Sequence, residues 1–220
     1  MIERFEQTFM SIRSMKKIFF VPFFVFYALI PYAIWIAEQS ILVVEDRLTL
    51  LTGLCGEIAP IFSVWWLYLV LKEYIEGDGH ELLQLHGNVR FISVVLYFLS
   101  VISYLPVFLC EGDSTELCQL FFQLCCITFF MYGLVLAVIS VIKNVSFGIL
   151  IMLLYHVFAN NPLEGEFMAT FRYGSWIGYI GWDEHMPLYL GSALVLWVIS
   201  FVNIGQFGKG GGVADCCKNI

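Results

Sequence analysis

The sequence predicts an all-α polytopic membrane protein. It has six transmembrane helices, an N-terminal amphipathic interfacial helix, and a re-entrant or interfacial helical segment between spans five and six. Three observations carry that prediction. First, 60% of the 220 residues are apolar, 17% are aromatic and only 13% are charged, far from the balance of a soluble domain. Second, apolar stretches cover Phe19–Ala37, Leu50–Leu71, Phe91–Leu109, Cys118–Ile142, Val145–Ala159 and Pro187–Phe207. A helix needs about 20 such residues to cross ~30 Å of hydrocarbon, and backbone groups in lipid must pair within the segment. Third, nine of the eleven basic residues fall in alternate connecting segments: Arg4, Arg13, Lys16, Lys17, Lys72, Arg90, Lys143, Lys209 and Lys218. The opposite segments hold Arg47, Arg172 and most of the acidic residues. The positive-inside bias therefore places the protein in the cell membrane with both termini cytoplasmic. An even number of spans agrees.

The chain divides into an interfacial helix (1–18), a six-helix transmembrane domain (19–207) and a flexible glycine-rich tail (208–220). In the first of these, Ile2, Phe5, Phe9 and Ile12 recur at helical spacing, with Glu3, Arg4, Glu6, Gln7, Arg13 and Lys16 mostly elsewhere on the wheel. A short helix lying in the cytoplasmic interface follows, serving as an anchor or as a contact for a cytoplasmic partner.

Span two carries Glu57 within Cys55-Gly56-Glu57-Ile58-Ala59-Pro60, about two turns below its outer end. A charge at that depth is costly unless it faces the bundle interior, pairs or is neutralised. His156 lies near the outer end of span five. Both are candidates to line a translocation path; the alternative is a protonated Glu57 bonded to a neighbouring helix and an interfacial His156. Between spans two and three, Lys72 to Arg90 is the densest polar stretch. Gly77 and Gly79 end the helix leaving the membrane, and His80–Leu85 suits a short helix bearing Leu82, Leu83 and Leu85. An apolar knob of this kind offers a docking point.

Cys110 and Cys118 flank the next connection, where a disulfide and two reduced thiols are both compatible with the spacing. Cys55, Cys125 and Cys126 read as small buried hydrophobes. Span five is short, about 22 Å at helical rise. The connection after it holds Phe167, Phe171, Tyr173, Trp176, Tyr179 and Trp182 among glycines. Aromatics at that density favour the membrane interface, and irregular backbone at membrane depth needs protein or water around it. Trp176 and Tyr179 are candidates to cap a path on the outside, or else belong to an interfacial helix with no transport role.

Catalysis finds no support. Gly208-Lys209 is followed by Gly210 and preceded by Asn203 where a phosphate-binding loop requires Ser or Thr and Gly. His80-Glu81 and Glu184-His185 are isolated pairs rather than a zinc-protease motif. His156 is the only histidine inside a span, with no serine placed to make it an intramembrane protease. The chain is expected to be no enzyme, to hold no catalytic residue, metal or cofactor, and to bind membrane lipid but no nucleic acid.

One stretch is similar to a known family. Glu76-Gly77-Asp78-Gly79-His80-Glu81-Leu82-Leu83, followed by Arg90, resembles the cytoplasmic loop of ABC-2 class exporter permeases, which typically read acidic residue, Gly-Thr, Glu-Leu-Leu, a spacer with Pro, then Arg. Asp78-Gly79-His80 stands in place of Gly-Thr-Leu, and Gly87 in place of the Pro. The interfacial N-terminal helix, six spans and long fifth connection look similar as well. The resemblance implies a homodimer or heterodimer of permease subunits docked on separate cytoplasmic ABC ATPase subunits, which would bind the ATP and Mg. By position it makes Glu76, Glu81, Leu82, Leu83 and Arg90 coupling residues. The expected function is that of the transmembrane subunit of an ATP-driven exporter for an amphipathic or lipidic cargo such as a peptide, drug or lipid. Two other readings stay open: a six-span small-molecule capture component of an energy-coupled importer, and a non-transporting membrane scaffold or immunity protein.

Overall fold

The computed structural model describes residues 16–39, 47–76, 89–110, 115–160 and 186–207, all but a two-residue turn and one bend of them helical. The first helix, α1 (16–39), changes its winding along its length. It opens with a 3-10 turn at Lys16–Phe20, continues as an α-turn over Val21–Phe24, widens to a π-turn over Val25–Leu29 and closes as an α-helix over Ile30–Gln39. Proline explains the wide turn. Pro31 has no N–H to offer Tyr27, and widening lets the Ile30 N–H reach the Val25 carbonyl five residues back. Described helix thus reaches back to Lys16, inside the segment read as interfacial and ahead of Phe19.

The second span is broken. Helix α2 (Arg47–Ser63) and helix α3 (Trp65–Glu76) meet at a bend on Val64. Pro60, one turn earlier, removes the N–H that Gly56 would otherwise receive, and local breaks in long helices have such causes. The Ser63 hydroxyl donates back to the Pro60 carbonyl at 2.7 Å, covering one acceptor beside the bend. Helix α3 is described to Glu76, and Gly77 and Gly79, where the sequence expects the helix to stop, lie outside the described residues.

Three further spans follow the expected boundaries closely: α4 (Val89–Cys110), α5 (Thr115–Ile142) and, after the short α6 (Val145–Asn160), α7 (Met186–Phe207). Among the described residues, five helical stretches are long and apolar enough to cross a membrane, α2 and α3 together forming one of them over Leu50–Ile75, while α6 covers about 24 Å at helical rise. The chain is built as a multi-pass helical membrane protein. Exposed Phe24, Tyr32, Trp35, Leu154, Val195 and Val198 fit that solvent, since apolar surface this extensive would be a liability in water.

Helix α5 is the axis of the bundle and packs most extensively on α7, α6, α4 and α2. Its approach to α7 depends on Gly133: a Cβ there would stand 2.9 Å from Cδ1 of Trp197. With no side chain in the way, the Trp197 indole stacks on Phe129 (5.1 Å, 11°) and its Nε1–H donates to the Phe129 carbonyl at 2.9 Å. The α5–α6 connection is a two-residue turn. Lys143 takes a left-handed φ of 59°, and the Asn144 side chain accepts from the Phe147 N–H at 2.8 Å, capping α6. Gly148 then lets α6 pass Ile139, which a Cβ would meet at 2.7 Å.

Side chains bury into two separate cores. One gathers Phe26, Ile30 and Ile34 of α1, Leu51, Cys55 and Ala59 of α2, and residues from Tyr104 to Leu124 of α4 and α5. The other gathers Trp66, Leu67, Val70, Leu71 and Tyr74 of α3 with α4, α5, α6 and α7. The break at Val64 divides the second span between them.

Candidate functional site: hydroxyls around the broken span

At the boundary of the two cores, the carbonyls beside the bend in the second span attract a set of buried hydroxyls. Ser100 and Tyr104 lie one turn apart on α4, and Thr128 and Tyr132 lie one turn apart on α5. Helical spacing therefore aims each pair at one neighbour. All four, with Ser63, are at most 2% exposed. The Ser63 carbonyl accepts from Ser100 Oγ and from Tyr132 OH, both at 2.9 Å. Those two hydroxyls touch each other at 2.7 Å, and both also reach the Leu96 carbonyl, at 3.0 and 3.1 Å. A step along the helices, Tyr104 OH donates to the Ala59 carbonyl at 3.3 Å and pairs with Thr128 Oγ1 at 2.8 Å.

Proton counting limits what this centre does. Ser100 and Tyr132 own one hydroxyl proton each, against three acceptor roles: the Ser63 carbonyl, the Leu96 carbonyl and one another. Leu96 lies inside α4 and has an intrahelical donor available, so the arrangement with lowest cost sends one proton between the hydroxyls and the other to Ser63. The alternative, with Leu96 served instead, costs one hydrogen bond at the bend. Such a centre holds the break in place yet has a second arrangement within reach.

The other side of the bend is fastened differently. Trp65 Nε1–H donates to the Ile18 carbonyl at 3.3 Å, and Trp66 Nε1–H donates to the Phe19 carbonyl at 2.9 Å. Phe19 and Phe23 pack their rings on Trp66 at 5.7 and 5.2 Å. The 3-10 turn at Lys16–Phe20 is therefore tied to the first turn of α3, because Pro22 has no N–H to give the Ile18 carbonyl four residues back or the Phe19 carbonyl three residues back.

The residues singled out from sequence are dispersed. Glu57 is exposed on α2, and among the described residues no hydrogen bond or ion pair reaches it. His156 is buried on α6, with its Nε2 3.2 Å from Asn160 Nδ2. Glu76 is the last residue of α3, and Arg90 is exposed in the first turn of α4, so the two flank the 77–88 connection. Glu81, Leu82, Leu83, Trp176 and Tyr179 lie outside the described residues, as do 1–15, the aromatic connection 161–185 and the tail 208–220. Cys118 is an exposed free thiol. Among the described residues, no three His, Cys, Asp or Glu side chains converge as a metal site would require.

Sequence reasoning passed over Ser63, Ser100, Tyr104, Thr128 and Tyr132. A signal existed: a proline inside span two, and hydroxyl pairs at one-turn spacing in spans three and four. No protein-family model matches the chain, and no curated protein or solved structure is significantly similar to it.

Proposed function

We propose that the chain is the membrane permease subunit of an ATP-driven exporter of the ABC-2 type, moving an amphipathic or lipidic cargo and worked by separate cytoplasmic ATPase subunits. The observation that carries this reading is the break at Val64, which gives the second span a half, α3, that packs in its own core and ends at Glu76, directly before the 77–88 connection. A motor pressing on Glu76, Glu81, Leu82, Leu83 and Arg90 would swing α3 about the bend. The start of α1 would travel with it through the Trp65 and Trp66 bonds. The hydroxyl centre is the pivot: as the bend opens, the one proton that the Ser100–Tyr132 pair gives the Ser63 carbonyl passes to the Leu96 carbonyl, so neither hydroxyl is left without an acceptor in lipid. Glu57, His156, Trp176 and Tyr179 remain the proposed lining of the path.

In this reading both termini and the 77–88 elbow face the cytoplasm, with nine of eleven basic residues on that side. Thiol labelling of a cysteine at position 114 from outside intact cells, with position 144 protected, is the expected result, and the reverse pattern overturns the orientation.

Copurification tests the function. Membranes solubilised from the native host should yield this chain with an ATPase, and Glu81→Ala with Leu82→Ala should remove the ATPase while the chain stays inserted. An unchanged ATPase yield in the double variant overturns the docking role. Recovery of the chain with a tightly held small molecule and no ATPase would favour the capture reading.

A further inference from the structure

A lysine near the end of a membrane helix usually stretches its ammonium group toward water. Lys72 does not. It is exposed, inside the apolar span Leu50–Ile75, about 6 Å along the axis from Glu76. Its Nζ turns back one turn deeper to Tyr68, 3.5 Å from the hydroxyl and 5.7 Å from the ring centre. Among the described residues no carboxylate pairs with it, not even its exposed neighbour Glu73.

A second cation comes to the same face from α1. Trp65, Tyr68 and Lys72 are spaced i, i+3 and i+7, so they share one side of α3. Trp65 and Tyr68 are only half-buried, which leaves that side open to the surroundings of the bundle. The Trp65 indole holds the Ile18 carbonyl, and Lys17 is the next residue back. Lys17 is exposed, and no hydrogen bond or ion pair from the described residues reaches it. Across the bend the face continues in Phe62, whose ring packs on Trp65 at 6.2 Å. Two ammonium groups and a phenol thus lie at one end of the face, and an indole and a phenyl ring at the other.

We propose that this face binds one anionic phospholipid, its headgroup phosphate between Lys17 and Lys72 and an acyl chain along Trp65 and Phe62. Charge selects the occupant. Two cations at the margin of the hydrocarbon attract the anion that a bilayer supplies at that depth, the headgroup phosphate. Lys72 donates to the Tyr68 oxygen, which leaves the Tyr68 proton for a phosphate oxygen. The rings offer apolar surface to the chain below. A zwitterionic headgroup carries its own cation and therefore gains less from the lysines. The bound lipid spans α1 and α3 and reinforces the tie that Trp65 and Trp66 make. The proposal rests on the bundle lying in a membrane and on no part of the transport reading.

The full chain, in nanodiscs of phosphatidylcholine mixed with phosphatidylglycerol, is released and weighed by native mass spectrometry, and the retained lipids are counted by headgroup. The parent should retain phosphatidylglycerol well above its share of the disc. Lys17→Gln with Lys72→Gln should lose about fivefold of that preference per lysine. Lys17→Arg with Lys72→Arg should keep it, and Lys143→Asn in the exposed α5–α6 turn should leave it unchanged. Position is read separately in vesicles. Phosphatidylglycerol brominated on its acyl chains should quench the parent's tryptophan fluorescence more than brominated phosphatidylcholine does, and Trp65→Phe should remove most of that difference. No headgroup preference in the parent, its survival in the glutamine pair, its loss in the arginine pair or in Lys143→Asn, or a quenching difference that outlasts Trp65→Phe would each overturn the proposal. A preference abolished by inorganic phosphate at constant ionic strength would overturn it too, because the site would then take a soluble anion.

Discussion

The two halves of the second span, α2 and α3, follow one another with a single residue between them, yet they are packed by opposite rules. Helix α3 is sunk in its core: Trp66, Leu67, Val70, Leu71 and Tyr74 are all 1% exposed or less, and its tryptophans hold the start of α1. Helix α2 buries a thinner stripe of Leu51, Cys55 and Ala59 and leaves Gly53 and Glu57 uncovered. The comparison separates two kinds of role. The half with large side chains and indole bonds is fixed to its neighbours, while the half with small residues leaves Gly53 and Glu57 on its surface. A break between them allows each its own body.

The sharpest way to break the contrast is at a glycine. Gly133→Leu drives a side chain into Trp197 and should destabilise the α5–α7 contact by about 3 kcal/mol, read as a large drop in thermal midpoint in detergent. Gly53→Ala on α2 should leave the midpoint of the single chain where it is. A loss at Gly53 equal to that at Gly133 would show that α2 is as tightly packed as α3.

Next comes the tie between α3 and α1. Trp66→Phe deletes the bond to the Phe19 carbonyl and part of the ring packing, with an expected cost of about 2 kcal/mol. Amide exchange of the first turn of α1 should rise more than that of α2, and equal rises would refute the idea that α1 travels with α3.

The pivot itself should respond less. Tyr132→Phe removes one of two donors to the Ser63 carbonyl, at about 1 kcal/mol in a membrane setting, with faster amide exchange expected at Leu67 and Tyr68 just past the bend. Tyr104→Phe should cost about 0.5 kcal/mol, because its bond to the Ala59 carbonyl is longer, at 3.3 Å. A larger effect at Tyr104 than at Tyr132 would place the pivot one turn nearer α2.

Proline shows how far local reading reaches. Pro60 and Pro106 both sit inside apolar runs and both delete a helix hydrogen bond. Only the first is followed by a break; α4 continues unbroken through Pro106 to Cys110. The difference lies in what surrounds them. The bend after Pro60 has Ser100 and Tyr132 to satisfy its carbonyls, and those residues come from spans 37 and 69 positions away. Glu57 was visible as an oddity from its charge alone, but the face it occupies depends on how α2 rolls against α1 and α5. His156 likewise carried no sign of whether it would turn inward, and it is buried beside Asn160.

What the sequence determined by itself was the solvent and the helices. Length and apolar content of each run decide that a segment crosses lipid, and the backbone must then pair with itself, so the five spans and the short sixth helix among the described residues are written locally. What only the tertiary structure decided was the division of the second span between two cores, the gathering of Ser63, Ser100, Tyr104, Thr128 and Tyr132, and the outward turn of Glu57. Those depend on the rotation of each helix about its axis. In lipid that rotation is set by side-chain packing and a few hydrogen bonds between distant segments rather than by any property of the segment alone.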